Sequence, residues 1–491
     1  MTNSAGKHIL IKSWPFMILF LYTALNLVLL FHHENWRDEA QAWQIVKYLS
    51  VPEIFAQLKY EGHPFLWYLV LLPFAKLGMP FAGMGLISLA CMVAAVWVIL
   101  KKAPFSLPVK IVLIFGSSFV YFYPVISRSY CLIPPLLAWL AVLYPDRQDK
   151  PILYGGVLAL LTQTHIYMLG ITFLLSAFWL LEILEGWIRK RLEAKTVCQN
   201  GAGLGISLFS GLFLIWELAG SVGSNTLVDI HLSSSLNSNL HRLHVATQWT
   251  LDYVLGLHIK EAYWKYILLL LGIALILFVV YSWKEALIFG GVTLIQILMF
   301  TYVYLPSHQK AMILMHELIF ILWIAMVRRQ EKRWQKRIWE MALVCLSLLS
   351  IYGYRDEMLQ DIREPYSSSK EMAAYIQEYI APETPVVSTK DTWSIAAAAY
   401  LDEREIWDPI LEENVRFSTW NNRRSQSITY EEMERRVRGK YPSAEGMYLI
   451  CGTDSNIADL VERLPLMEEK YSVAVSGTDE NATLYYVSFN K

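Results

Sequence analysis

Two adjacent carboxylates, Asp38 and Glu39, follow the first long apolar segment of the sequence. A carboxylate beside a hydroxyl group can take its proton, so either acid is a candidate general base. Residues 36–49 have helical periodicity, and Asn35 is the predicted N-cap. On that helix both acids fall on the apolar arc, whereas Arg37 lies on the polar stripe. Acids in a first turn also stabilise the helix dipole, but this does not explain why these two face inward.

Histidine and cationic side chains that could neutralise an anion occur at later points of the sequence. They are His63, Arg128, His165, His308 and Lys310. An arginine at a membrane boundary can extend its charge towards the interface, or it can bind a phosphate through two N–H donors. His165 interrupts an apolar run, where a buried core histidine is the commoner outcome, although a metal ligand would look the same.

The composition is that of a membrane protein with one soluble part. The chain has 491 residues, of which 55% are hydrophobic and 17% are charged. A soluble protein would carry about 25% charged residues. From residue 14 to 352 the charges stand in short clusters between apolar runs, whereas 355–491 resembles a soluble domain. The net charge of −1 gives no indication of a nucleic acid partner, and none is predicted.

Crossing the hydrocarbon takes about 20 apolar residues. Eleven spans are predicted, at 14–31, 81–100, 109–126, 130–145, 152–164, 166–184, 202–219, 263–281, 286–304, 312–327 and 338–353. The positive-inside rule puts every intervening basic cluster in the cytoplasm if 64–77 does not cross and 152–184 crosses twice. This predicts a multi-pass protein of the cell membrane with a cytoplasmic N-terminus. The first extracytoplasmic loop is then 32–80, and the second is 220–262.

The predicted fold class is a polytopic α-helical membrane domain, residues 1–354, followed by a small extracytoplasmic α/β domain, residues 355–491. Short helices and strands alternate in the second domain, including a helix at 367–380 and a strand at 446–451. A hairpin around Gly477 ends it. The domain shows no catalytic pattern, and we expect it to recognise an acceptor or to pack over a site. The predicted membrane topology places Asp38 and the candidate cations on the outer face of the membrane.

Four short motifs carry a resemblance to a known family. The motifs Trp36-x-Asp38-Glu39-Ala40 and His63-Pro64-x-Leu66-x-Tyr68 resemble the first extracytoplasmic loop of GT-C glycosyltransferases, in particular the protein O-mannosyltransferase and aminoarabinose (ArnT-like) transferase types. Ser127-Arg128-Ser129-Tyr130-x-Leu132 resembles their Arg-x-Tyr-x-Leu segment, and Thr164-His165-x-Tyr167 resembles their Thr-His-Tyr segment. The motifs occur in the family's order within residues 14–184, and the resemblance fades after about residue 200.

The resemblance implies a GT-C-like fold and a transferase that uses a sugar linked to polyprenyl phosphate. The acceptor would be a glycan, a lipid or a protein at the outer face of the bilayer. Asp38 is implied as the catalytic base or the carboxylate that orients the acceptor, and the residues alone leave Glu39 as the alternative. The candidate ligands of the donor phosphate are His63, Arg128, His308 and Lys310.

A divalent metal ion is the one cofactor that the resemblance raises. In ArnT-like enzymes an acidic metal ligand can stand directly before the Lys-Pro or His-Pro pair. Here that position is Gly62, and Glu61 lies one residue earlier. Glu61 and His165 are therefore the candidate metal ligands, without a claim that activity depends on a metal.

The alternative function is a transporter or flippase of lipid-linked saccharides. Such proteins usually have internal repeat symmetry and ionisable residues deep within their spans. The internal acids of note here are Glu217 and Glu317, and both are predicted to lie near span ends. The sequence therefore favours the transferase.

Overall fold

The computed structural model describes residues 3–219, 235–328, 333–401, 404–420, 426–452, 456–473, 475 and 478–489. Its first ten helices are α1 (Asn3–His32), α2 (Arg37–Tyr48), α3 (Val51–Glu61), α4 (Leu66–Lys76), α5 (Met84–Lys102), α6 (Leu107–Ile114), α7 (Ile133–Leu143), α8 (Pro151–Thr162), α9 (Met168–Ile188) and α10 (Ala194–Leu218). They are followed by α11 (Leu236–Leu255), α12 (Trp264–Tyr302), α13 (His308–Arg328) and α14 (Arg333–Arg363). Of the predicted loop 220–262, residues 220–234 lie outside the described residues, and most of the remainder forms α11.

Several of these helices are those of an integral membrane protein. In the described part of the chain, six segments are long and apolar enough to cross a membrane: Ser13–His32, Phe81–Lys102, Met168–Ile188, Ala194–Leu218, Glu261–Tyr302 and His308–Arg328. The segment Glu261–Tyr302 has 42 residues and breaks at Ser282, where φ −156° and ψ 91° are not helical. This break separates the predicted spans 263–281 and 286–304. The number of crossings and the orientation stay predictions.

The structure interrupts the predicted spans 109–126 and 130–145 with irregular backbone. α6 ends at Ile114, a π-helical turn covers Ser118–Phe122, and a 3-10 turn covers Ser129–Leu132 before α7 begins. Arg128 therefore lies in a non-helical segment between two buried turns. Irregular backbone at membrane depth is tolerated where protein surrounds it or where it lines a cavity.

Two local predictions are wrong. Asn35 does not cap α2, because its side-chain amide donates instead to the carbonyl oxygen of Phe81, at 2.9 Å. The carboxylate of Glu39 accepts the Trp36 N–H at 2.9 Å and closes the first turn in its place. Glu317 does not lie near a span end but in the middle of α13, fully buried.

The C-terminal part is a mixed β-sheet domain, as predicted. Its strands are β1 (Val386–Ser388), β2 (Ile406–Asp408), β3 (Glu413–Asn414), β4 (Gly446–Cys451), β5 (Glu468–Ser472) and β6 (Thr483–Ser488), in the order β3-β2-β1-β4-β6-β5. β1 pairs in parallel with β2 and β4, and the other pairs are antiparallel. The helices are α15 (Ser369–Tyr379), α16 (Ile395–Tyr400), α17 (Tyr430–Lys440) and α18 (Leu460–Arg463). The predicted hairpin is formed by β5 and β6, although Gly477 lies outside the described residues.

The C-terminal domain packs against the segment between α1 and α5. Helix α16 contacts α2, and the Tyr400 hydroxyl accepts the Asn35 N–H at 2.8 Å. Gln41 on α2 exchanges two hydrogen bonds with the backbone of Ser418, at 3.0 and 2.8 Å. The first predicted loop and the C-terminal domain therefore meet at one end of the helical bundle.

Candidate active site

Asp38, Arg128 and His63 form a hydrogen-bonded chain beside the first turn of α2. The Arg128 guanidinium donates from one nitrogen to the Asp38 carboxylate and from the other to His63 Nε2, the latter at 3.1 Å. His63 Nδ1 lies 2.8 Å from the carbonyl oxygen of Glu61. Nδ1 therefore carries the proton, and Nε2 is the acceptor that Arg128 needs. The side chain of Asp38 is 35% exposed, so a ligand can reach it.

His63 acts on this site as a neutral ring. Burial lowers the pKa of His63 to about 4, and the positive charge of Arg128 contributes to the shift. At neutral pH the imidazole is uncharged, because its pKa lies well below that pH. His63 therefore orients the Arg128 guanidinium, and the positive charge beside Asp38 comes from Arg128 itself.

A stack of rings forms the wall next to this chain. The His165 ring packs between Tyr130 and Tyr167, with centroid distances of 5.0 and 4.7 Å, and it meets His63 edge-on at 5.7 Å. His165 Nε2 and the hydroxyls of Tyr130 and Tyr167 are buried, and none has a hydrogen-bond partner in the described part of the chain. Buried polar groups are normally paired. Three unpaired ones beside Arg128 indicate a site that a polar ligand would complete.

Lys310 adds a second cation to the same site. Its ammonium group lies 4.8 Å from the centre of the Tyr304 ring, and its charge helps to hold down the pKa of His63. Of the eight residues predicted to form the site, five gather here: Asp38, His63, Arg128, His165 and Lys310. We call these five residues the Asp38 cluster.

Glu39 lies behind the cluster and faces the protein interior. One carboxylate oxygen accepts the Trp36 N–H, and the other accepts the Ser127 N–H at 2.5 Å. The residue is fully buried. Glu39 thus joins the first turn of α2 to the turn that presents Arg128, and so it fixes the distance between Asp38 and Arg128.

Two further residues complete this support, and sequence reasoning missed both. His33 Nδ1 lies 2.9 Å from Asp361 on α14, and Nε2 lies 3.6 Å from Glu39. Burial alone would lower the pKa of His33, but the charge and hydrogen bond of Asp361, together with Glu39, outweigh it and raise the pKa to about 10. His33 is therefore a cation between two carboxylates. We call His33, Glu39 and Asp361 the support layer.

His308 is not part of the Asp38 cluster, contrary to its predicted grouping with the donor-phosphate ligands. Its ring packs against Phe122, Tyr253 and Tyr354, and its Nδ1 lies 3.7 Å from the carboxylate of Glu357. His308 and Lys310 stand two positions apart on α13. Two helical positions are about 200° of rotation, so the two side chains leave the helix on different sides.

The candidate metal ligands Glu61 and His165 do not form a donor set. One carboxylate oxygen of Glu61 accepts N–H groups from Gln41, Gln57 and Trp420, at 2.8, 2.7 and 3.1 Å. Across the described residues, no group of three or more His, Cys, Asp or Glu side chains is placed to hold a metal ion. As placed here, Glu61 and His165 do not fit a divalent ion.

The C-terminal domain also contacts α2 through Arg37. The Arg37 N–H donates to Glu480 at 2.9 Å, and its guanidinium pairs with Asp479 at 2.9 Å. Burial raises the pKa of Glu480 to about 7. No local pattern in the sequence marks these acids, which lie more than 440 positions away in the chain.

The chain resembles solved structures over its whole length, and two of them are of ArnT from Cupriavidus metallidurans. One is bound to undecaprenyl phosphate and one is in the apo state. Each covers 99% of this chain and 98% of its own, with a TM-score of 0.51 and identities of 10% and 11% respectively. The chain has the ArnT fold. The predicted GT-C-like fold class is thereby confirmed. No family model and no curated protein matches the sequence, so the likeness is one of fold.

Proposed function

We propose that this protein is a membrane glycosyltransferase that moves a sugar from polyprenyl phosphate to an acceptor hydroxyl. The observation that carries the proposal is the pair of Asp38 and Arg128, a reachable carboxylate beside a guanidinium, inside an ArnT fold. One ArnT structure holds undecaprenyl phosphate, the molecule that such a transfer would release.

The reaction we propose is a single displacement. The acceptor oxygen attacks the anomeric carbon from the side opposite the phosphate, and the hydroxyl proton passes to the Asp38 carboxylate. The bond from the anomeric carbon to the phosphate oxygen breaks, and its electron pair leaves with polyprenyl phosphate. The anomeric configuration is inverted as a result.

The cations of the cluster suit the leaving phosphate. Arg128 has five N–H donors, and Asp38 and His63 take one each, so the others can bind phosphate oxygens. Lys310 supplies a second positive charge. Cations fixed in place before the reaction stabilise the charge that develops as the phosphate leaves.

The geometry favours Asp38 over Glu39 as the base. Glu39 is fully buried, and both of its oxygens accept backbone N–H groups. Removing it from those bonds would separate α2 from the Arg128 turn. Asp38 is exposed to a ligand. Among the described residues, its side chain accepts a hydrogen bond from Arg128 alone.

The proposed reaction also implies a donor, an acceptor and a side of the membrane. The donor is a polyprenyl-phosphate sugar in the bilayer of the cell membrane, and the acceptor is a glycan, a lipid or a protein. Transfer takes place at the outer face, where the C-terminal domain covers α2. The mechanism above requires no metal ion.

The test is sugar transfer by the purified, reconstituted chain with a panel of polyprenyl-phosphate sugars. We expect transfer by the wild type, loss of transfer in Asp38→Asn, and unchanged transfer in Asp146→Asn, an exposed carboxylate 54% accessible and paired with Lys150. Turnover of nucleotide sugars only would sink the proposal. Full activity of Asp38→Asn would keep the enzyme class and remove Asp38 as the base.

One observation favours the flippase alternative. Glu317 is buried in the middle of α13, and neither carboxylate oxygen has a hydrogen-bond partner in the described part of the chain. An ionisable group within a span is a common feature of transport sites. Movement of a labelled lipid-linked sugar between leaflets, abolished in Glu317→Gln and without any sugar transfer, would favour this alternative.

A further inference from the structure

A cavity of about 330 Å³ lies between the end of α11, the start of α13 and the later part of α14. Its main side chains are Trp249, Asp252, Tyr253, His308, Tyr354 and Glu357. The volume falls in the range of about 300–1,000 Å³ that is usual for small-molecule sites. We call this cavity the Glu357 pocket. The transfer mechanism uses none of these residues.

The pocket combines aromatic faces with carboxylates. Tyr253 and Tyr354 each meet the His308 ring edge-on, with centroid distances of 4.5 and 5.3 Å. Trp249 remains 38% exposed at the cavity. Flat aromatic faces with a few fixed polar groups are suited to a ligand that has both apolar and hydrogen-bonding surfaces.

The two carboxylates have different tasks. Asp252 accepts the Ile259 N–H at 2.9 Å and lies 3.1 Å from His258, so it holds the turn after α11 in place. Glu357 lies 3.7 Å from His308, beyond hydrogen-bond distance, and its side chain is 34% exposed. Glu357 can therefore accept hydrogen bonds from ligand hydroxyls or amines.

The lining favours a ligand without phosphate. Asp252 and Glu357 are acidic, and no lysine or arginine is among the described residues that line the pocket. Like charges repel most strongly where water is partly excluded. The Asp38 cluster, with Arg128 and Lys310, has the opposite preference. The two sites would therefore bind different parts of a substrate pair.

Three shared segments place the pocket next to the Asp38 cluster. α13 carries His308 into the pocket and Lys310 into the cluster, two residues apart. α14 carries Glu357 and, one turn later, Asp361 of the support layer. Phe122 packs on Tyr354 at 4.7 Å, and the same irregular segment continues to Arg128.

We propose that the Glu357 pocket binds a saccharide unit without phosphate, as part of the acceptor. The aromatic rings would pack on the ring carbons of the sugar, and Glu357 would accept hydrogen bonds from its hydroxyl or amino groups. The assignment to the acceptor rests on the proposed transferase function. The assignment as a saccharide site does not, because binding can be measured without transfer.

The first test is binding of the purified full chain to a printed array of neutral, amino-bearing and phosphorylated oligosaccharides. We expect binding to neutral or amino-bearing members, reduced at least tenfold in Trp249→Ala and in Glu357→Gln. The matched controls on α14 are Tyr352→Ala and Asp356→Asn, whose side chains lie on the exposed surface. Both should bind like the wild type.

Three results would each overturn the saccharide site. They are absence of binding, binding to phosphorylated members only, and binding by Trp249→Ala and Glu357→Gln that equals binding by the wild type. The inactive variant Asp38→Asn should still bind the array. If the wild type transfers sugar, Glu357→Gln should raise the KM for the acceptor at least fivefold and leave the KM for the lipid donor unchanged. Array binding without sugar transfer would refute the transferase function and support the saccharide site. Sugar transfer without array binding would support the transferase function and refute the saccharide site.

Discussion

The Asp38 cluster and the support layer behind it both pair a carboxylate with a cation, but they differ in exposure. In the cluster, Asp38 and Arg128 pair at a part-exposed position, with side chains 35% and 17% accessible. In the support layer, His33 and Glu39 have no exposed side-chain surface. Asp38 and Glu39 are adjacent in the chain, but a helix turns by about 100° per residue. That rotation gives one acid to the ligand and the other to the interior.

The neighbours of each carboxylate therefore decide its role more than its motif does. Glu39 is bonded to two backbone N–H groups, and these bonds fix where the Arg128 turn lies. Asp38 is bonded to a side chain that can turn towards an arriving phosphate. Variants of the cluster should therefore lose activity, and variants of the support layer should lose stability.

The largest effect is expected for Arg128→Ala. Removing the guanidinium removes the main positive charge at the leaving phosphate, and loss of one such group typically lowers kcat by about 10²- to 10³-fold. Arg128→Lys should recover part of this loss, because it restores the charge but not the planar pair of donors. Steady-state transfer rates measure the effect. A thermal midpoint that falls as steeply as kcat would instead assign Arg128 to support.

The next effect is on stability. Glu39→Gln removes one charge from a buried ionic group, leaving His33 with Asp361 alone. Breaking such a group typically lowers the free energy of unfolding by about 3–5 kcal/mol. Asp38→Asn breaks a part-exposed pair, for which about 1 kcal/mol or less is expected. Unfolding of both variants in detergent tests the contrast, and equal losses would contradict it.

The two histidines should make stability depend on pH in opposite directions. The folded-state pKa of His33 is raised to about 10, so its stabilising contribution is complete below about pH 6.5 and is lost as the pH rises from there to 10. The folded-state pKa of His63 is lowered to about 4, so its contribution is complete above about pH 6.5 and is lost as the pH falls to 4. Thermal midpoints across this range measure both slopes.

Single substitutions separate these slopes. His33→Gln should flatten the alkaline side of the profile and leave the acid side, and His63→Gln should do the reverse. If His33→Gln leaves the alkaline slope as steep as in the wild type, His33 is not the cation that the support layer requires.

The smallest effect is expected where the C-terminal domain touches the segment between α2 and α4. Trp420→Phe keeps an aromatic side chain, although the phenyl ring is smaller than the indole, and removes the N–H that donates to Glu61 at 3.1 Å. One such hydrogen bond contributes about 0.5–1.5 kcal/mol. We expect a small fall in the thermal midpoint and a kcat close to that of the wild type. A large loss of activity would show that this contact controls the cluster directly.

The sequence was informative where chemistry and local pattern coincide. Asp38, His63, Arg128 and His165 stand in short motifs that also mark turns between apolar segments, and the structure brings them together. Strand β4 and the hairpin of β5 and β6 follow from alternation and flanking polar residues. β2 and β3 have three and two residues, too few for a periodic signal.

What the sequence did not indicate depends on contacts between distant parts of the chain. His33 and Asp361 are 328 positions apart, and neither stands in a motif. The surroundings of His308 depend on the side of α13 from which its side chain projects, and hydropathy does not indicate that side. The Glu357 pocket combines residues of three helices, and each of its acids alone reads as an ordinary surface charge.

The hydrogen bonds from Asn35, Arg37 and Gln41 to the C-terminal domain have a consequence for biogenesis. A ribosome makes α2 long before it makes Tyr400, Ser418 and Glu480. During that interval the first loop is already in place but lacks the partners that hold it. The first loop would therefore reach its final arrangement only after the C-terminal domain has been made and has folded against it.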